Sequence, residues 1–200
     1  MTAASLLHPR GVLAVATACL VALTAAVVTL GALPADAAVR EALLALAATP
    51  GLVDAMRVVN RAGEWPVLLP GTLALFVVFR RARERWWVWV TLMVAAPLME
   101  GLLKYLVGRS RPEDVSLGVP SGHATASAAF FGAVMLLAGA LPPGACAWVR
   151  AAAAVMIGLV GLARVILRAH WPSDVLAGIA LGLALAAAAG LLAARARPAP

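Results

Sequence analysis

Apolar residues run in long uninterrupted blocks along this chain, and polar residues collect between the blocks in short, charged segments. The blocks cover Gly11 to Leu33, Trp65 to about Phe79, Trp86 to about Val107, Gly122 to Leu141, Val149 to Arg168 and Val175 to Ala194. An apolar stretch of roughly twenty residues is long enough to cross a bilayer as a helix, and a helix satisfies its own backbone in lipid. The pattern therefore predicts an all-α polytopic membrane protein, a bundle of six transmembrane helices. The second block is the shortest and carries Pro66 and Pro70. Trp86, Trp87 and Trp89 open the third as an interfacial anchor. Gly178 and Gly182, four apart in the sixth, permit close helix approach within the bundle.

Residues 34–64 interrupt this pattern with four acids and three Arg. Leu52, Val53, Met56 and Val59 recur at helical spacing, and Thr49 before Pro50 reads as a helix start with Pro at the first position. The segment is expected to form one or two short helices on the membrane surface. Its opening, Pro34-Ala35-Asp36-Ala37-Ala38, looks like a signal-peptidase site. The preceding apolar block exceeds the about 7–15 residues of a signal peptide, so a retained first span is expected.

Composition adds one constraint. The 200 residues are 64% hydrophobic and only 12% charged, about half the charge of a soluble domain. Six spans leave no room for a separate soluble unit, so residues 1–200 read as one integral membrane domain. The net charge of +7 resides at block ends and in loops, with no basic stripe interleaved with aromatics, which argues against nucleic acid. Cys19, mid-span, and Cys146, in a loop, read as packing residues rather than a disulfide.

Charge distribution also orients the chain. The most basic loop, Arg80 to Arg85, belongs in the cytoplasm by the positive-inside rule. Alternation then puts Arg10, Arg150, Arg195 and Arg197 inside with both termini, and puts 34–64, 108–121 and 168–174 outside. Two of those outer segments are nevertheless rich in Arg and His, and such local violations mark function.

Three clusters fall at that outer face: Lys104-x6-Arg111-Pro112, Pro120-Ser121-Gly122-His123 and Arg164-x5-His170-x3-Asp174. Phosphoryl transfer spreads negative charge over the equatorial oxygens, so its catalysts mainly position and neutralise. Arg111 and Arg164 supply bidentate donors and Lys104, the only lysine of sixteen basic residues, supplies a point charge. Ser121 and Gly122 start a helix whose free N–H groups favour an anion. His123 and His170 permit one imidazole to attack phosphorus while the other protonates the leaving oxygen. Asp174, four residues beyond His170, can fix the tautomer of that ring.

Taken singly, several of these residues have plainer readings. Arg109 and Arg168 suit interfacial snorkelling, His8, near the terminus, a satisfied core residue, and Ser121 a helix cap. The joint clustering is what singles out an anion site. A metal is not expected among so many fixed positive charges, and no cofactor is implied. Glu100, four residues before Lys104 on the same helix face, is expected to orient that lysine.

The three clusters closely resemble the signature of the type 2 phosphatidic acid phosphatase superfamily: Lys-x6-Arg-Pro, Pro-Ser-Gly-His and Ser-Arg-x5-His-x3-Asp. One position departs, Ala163 standing where Ser is usual. The resemblance implies a six-helix membrane core and metal-independent dephosphorylation of a membrane lipid through a phosphohistidine. It implies His170 as nucleophile, Asp174 as its orienting acid and His123 as proton donor. Lys104, Arg111, Ser121, Gly122 and Arg164 would bind phosphate. Undecaprenyl diphosphate fits an outward site in a bacterial plasma membrane, and phosphatidate, phosphatidylglycerol phosphate or a lipid A phosphate fits almost as well. A soluble vanadate-dependent haloperoxidase is disfavoured by the six spans. A transporter is disfavoured by the lack of an internal repeat, and a non-catalytic binder by the intact motifs. Oligomeric state is not legible.

Overall fold

The computed structural model describes residues 8–31 and 33–195, so Arg197 and its part in orienting the chain lie outside the described residues. Among those residues the chain is helical, with no strand beyond one isolated bridge between Ser110 and Leu117. The helices are α1 (Pro9–Leu30), α2 (Pro34–Ala45), α3 (Leu52–Asn60), α4 (Trp65–Val78), α5 (Arg80–Glu84), α6 (Trp86–Val107), α7 (Gly122–Leu137), α8 (Pro143–Ile166) and α9 (Pro172–Arg195). Five of them, α1, α6, α7, α8 and α9, are long and apolar enough to cross a bilayer. The second expected span, α4, has only 14 residues. At 1.5 Å per residue it covers about 21 Å of the roughly 30 Å hydrocarbon core. It ends where Phe79 turns extended before α5.

Helix α9 is the central element, packed most extensively on α7 and α1. Its glycines make this possible. A Cβ at Gly178 would lie 2.6 Å from the Ser121 carbonyl oxygen, and one at Gly182 would lie 2.6 Å from the Ala128 Cβ. The expected close approach is thus the seam between α9 and the start of α7. Gly132 of α7 returns the favour, with its missing Cβ filled by Ala186. Around that seam a core forms from Leu68, Leu75, Phe79, Val88, Leu92, Ala129, Phe130 and Ala189. Trp89 belongs to this core at 4% exposure. Only Trp86 and Trp87, both exposed, retain the predicted anchoring surface, because Trp89 falls on the face of α6 that meets the bundle.

Residues 34–63 form two short helical stretches bent by 116°. They cap one end of α8: Met56 is buried with Ala163 and Ile166, and Leu43, Ala47 and Val59 pack beside them. The second stretch starts later than the Thr49–Pro50 signal suggested. Gly51 at φ 76° breaks the chain in a left-handed turn and caps α3, a conformation glycine takes without steric cost. Three further expectations shift. Cys146 sits in the first turn of α8, which begins at Pro143 rather than near Val149. Cys19 is exposed on α1 rather than packed. His8 is an exposed cap whose Nδ1 accepts the Arg10 N–H at 3.3 Å.

Filling the seam should be costly and specific. Gly182→Val is expected to destabilise the protein by about 1–3 kcal/mol through overpacking. Gly158→Ala, where a Cβ meets nothing within 4 Å, is expected to leave thermal stability in detergent unchanged or slightly raised.

Candidate active site

The three sequence clusters meet at the end of the bundle capped by residues 34–63. The Ser121 N–H donates to the Asp174 carbonyl at 2.9 Å, tying the start of α7 to the start of α9. The segment between α6 and α7 folds back on itself: Arg111 N–H donates to Ser116 O at 3.0 Å, and Gly118 N–H to Arg109 O at 2.7 Å. That turn brings Arg111 near Arg164 and His170.

His170 sits in the short link between α8 and α9, 1% exposed, and Asp174 in the first turn of α9 is fully buried. His170 Nδ1 lies 3.2 Å from Asp174 Oδ2, which also accepts the Trp171 N–H at 3.0 Å. With the proton on Nδ1, Nε2 keeps its lone pair. Burial holds His170 below the ordinary histidine value; the Asp174 carboxylate opposes that shift, and the charges of Arg164 and Arg111 reinforce it.

Arg164 and Arg111 lie close enough to His170 for their charges to act on it. Arg164 Nη1 donates to Asn60 Oδ1 at 2.7 Å, and Asn60 Nδ2 donates to Glu64 Oε1 at 2.9 Å. Glu64 Oε1 in turn lies 3.7 Å from His123 Nε2. Arg111 Nε reaches the Leu117 carbonyl at 3.4 Å, leaving its two terminal nitrogens for other partners. Ser121 occupies the N-cap of α7 but makes no side-chain cap bond. Its buried Oγ has no partner, so the plain capping role fails and the hydroxyl is available to a ligand. Lys104 forms an ion pair with Glu100, as expected of that helix face. A Cβ on Gly122 would lie 2.9 Å from Glu100 Oε1, which places the pair against the opening turn of α7.

Several site residues escaped the sequence reading. Asn60 and Glu64 were seen only as part of a polar connection. Asp36, 2% exposed, was hidden in a stretch resembling a cleavage site. Arg109 does not snorkel: its side chain is 8% exposed, bonded to Asp36 Oδ2 at 2.8 Å and to Ser173 Oγ at 2.7 Å. Arg168 is more exposed and pairs with Glu113 at 3.2 Å. Glu113 also meets Arg40, whose hydrogen bond is the main reason its carboxyl lies below the usual range. The only local signal for any of these was an acid in an apolar neighbourhood, and that signal was read for Glu100 alone.

A helical bundle with membrane-length apolar helices brings arginines, a buried His–Asp pair and the N-terminus of α7 together at one end. The chain belongs to the PAP2 superfamily, which it matches over residues 85–197. It is 32% identical over 162 residues to the decaprenylphosphoryl-5-phosphoribose phosphatase of Mycobacterium tuberculosis, covering 72% of this chain and 81% of that protein. It is 36% identical over 108 residues to the lipid A 1-phosphatase of Rhizobium etli, covering 46% of this chain and 43% of that protein. It thus spans less than half the length of that Rhizobium relative. Among solved structures it resembles a transmembrane PAP2 type phosphatidylglycerolphosphate phosphatase from Bacillus subtilis. That match has a TM-score of 0.78 and 25% identity, covering 92% of this chain and 97% of that one.

An oxyanion should stabilise the protein by mass action. Inorganic phosphate at about 100 times its Kd is expected to add about 2.7 kcal/mol, read as a rise in unfolding temperature in detergent. Arg164→Ala is expected to abolish that rise.

Proposed function

We propose that the protein is a membrane lipid phosphatase that releases phosphate from a lipid phosphate or diphosphate without a metal, through a phosphohistidine. The observation that carries this reading is the buried His170–Asp174 pair at 3.2 Å, set among Arg111, Arg164 and the unpartnered Ser121 hydroxyl.

The substrate phosphoryl oxygens are gripped by Arg111, Arg164 and Lys104 and by the Ser121 hydroxyl and first N–H groups of α7. His170 Nε2 attacks phosphorus while Nδ1–H donates to Asp174, which offsets the positive charge gained by the ring. The bond from phosphorus to the lipid-side oxygen breaks, and that oxygen takes a proton from His123. Glu64 provides the counter-charge for the protonated His123 ring. Water then attacks the phosphohistidine and gives its proton to His123. The P–N bond breaks, the electron pair returns to Nε2, and inorganic phosphate leaves.

A lateral approach for the lipid tail is supported by an apolar cleft of about 410 Å³ between α4 and α6. Trp65 at its edge follows Glu64 directly, and Pro97 lies one turn before Glu100, so the cleft runs from the site along the lipid-facing side. Undecaprenyl diphosphate, phosphatidate and phosphatidylglycerol phosphate share the required chemistry: an apolar anchor carrying a terminal phosphate. The relatives named above act on a decaprenyl-linked sugar phosphate, lipid A and phosphatidylglycerolphosphate. In this reading residues 1–200 are one integral membrane domain with the site on the outer face and both termini in the cytoplasm. The clustering of Arg81 and Arg85 with the far ends of α1 and α9 around one cavity supports that orientation.

Purified protein with EDTA is expected to release phosphate from at least one of these three lipids, and His170→Ala is expected to lose at least ~10³-fold in kcat. Undiminished turnover by that variant would overturn the nucleophile. The pH profile provides a second check. Because burial lowers the His170 value, the neutral, attacking form persists below about pH 6.5, where an ordinary histidine titrates. The acid limb of kcat/KM is therefore expected below that pH. The stability tied to neutral His170 is full above about 6.5 and lost as pH falls through the lowered value.

A further inference from the structure

Asp174 has two carboxylate oxygens, and the His170 dyad uses one. Oδ2 takes both the imidazole and the Trp171 N–H. Oδ1 points the other way, and its nearest charged partner is Arg109 Nη1 at 3.3 Å. Arg109 lies two residues before the phosphate-binding Arg111, yet its guanidinium is committed elsewhere. The same Nη1 donates to Ser173 Oγ at 2.7 Å, and Nη2 donates to Asp36 Oδ2 at 2.8 Å. Its plane stands over the Trp171 ring, 5.4 Å from the centroid, a cation–π distance.

Asp36 holds this arrangement from a different part of the chain. Its Oδ1 accepts the Ser173 N–H at 2.8 Å, and its Oδ2 accepts the Ser173 hydroxyl at 2.6 Å. Three hydrogen bonds hold its carboxylate at 2% exposure. A buried acid unconnected with function would be expensive to maintain. Here it neutralises Arg109, and its bonds fix the rotation of the guanidinium so that Nη1 faces Asp174 rather than the phosphate pocket.

We infer that Asp36 and Arg109 are a positioning pair for the nucleophile, acting through Asp174 on His170. This inference rests on the phosphohistidine reading above and adds residues 34–45 to the machinery of the dyad. Its electrostatic content is a chain of alternating charge: Asp36, Arg109, Asp174, then the imidazole. Removing Asp36 leaves the Arg109 charge uncompensated near His170. Removing Arg109 leaves the acid uncompensated. The two changes must therefore push the His170 titration in opposite directions. A merely structural pair would not do that.

The other charged groups facing His170 stay constant in such a comparison. They are Asp174 from α9, Arg164 from α8, Arg111 from the link before α7 and His123 from α7.

The test uses the full chain in lipid nanodiscs, labelled with ¹⁵N-histidine. Only three histidines are present, and His170→Asn assigns the signal. In Asp36→Asn the His170 titration is expected to move down by about half a unit or more, and in Arg109→Gln to move up by a similar amount. Ser173→Ala, a milder change that retains the backbone N–H to Asp36, is expected to keep the fold and shift neither strongly. With phosphatidate as substrate, Asp36→Asn is expected to lower kcat ~10-fold or more with KM within about twofold. Titrations that stay put, or that move together, while only the unfolding temperature falls would overturn the positioning role. So would unchanged kcat in folded Asp36→Asn. If wild type releases no phosphate from any lipid, the phosphatase reading fails by itself, and the opposed titrations still decide whether the pair acts on His170.

Discussion

A carboxylate with no solvent exposure organises this protein. Asp174 cannot be left without partners, since an unpaired buried charge costs several kcal/mol, and the chain supplies those partners from separate places. Trp171 and His170 come from the preceding link, Arg109 from the segment after α6, and Ser121 N–H binds the Asp174 backbone carbonyl from the start of α7. Bonds to the side chain and to the backbone of this one residue thus tie the start of α7 and the link after α8 to α9. Pocket and fold are determined by the same set of bonds.

The helices approach closely enough for this only because their contact faces are small. Gly178 and Gly182 let α9 lie against the backbone of Ser121 and Thr125, and Ala124, Ala128 and Ala129 across the seam are fully buried. In lipid there is little hydrophobic drive between helices, so close van der Waals contact and interhelical hydrogen bonds have to hold them. The Ser121–Asp174 bond lies at the top of that seam, next to Gly178. Packing that stabilises the bundle is therefore the same packing that sets the first turn of α7 beside Asp174.

Residues 34–64 change status between sequence and structure. Read linearly they are a polar interruption with a cleavage-like beginning. Folded, they deliver Asp36 to Arg109 and Ser173, Asn60 to Arg164, and Glu64 to His123. Their apolar positions, Leu43, Met56 and Val59, seat them on the end of α8, where Asn60 reaches Arg164. Arg109 shows the converse error. Its neighbours in sequence suggested an interfacial cation, and only a partner 73 residues away makes it a buried one.

The sequence by itself determined the helical bundle, the helix limits to within a few residues at most ends, and the three polar clusters that come to one end of it. Those features are written locally. Hydropathy sets span length through the thickness of the bilayer, and the three clusters each lie at a span end that alternation carries to one face. What only the tertiary structure decided is which polar groups complete that pocket. The pairing of Asp36 with Arg109, the Asn60–Glu64 relay and the unpartnered Ser121 hydroxyl depend on contacts between elements far apart in the chain. The burial of Trp89 depends on which helix face meets the core. Hydrophobic pattern specifies that a face is apolar; it carries no record of which distant side chain will lie against it.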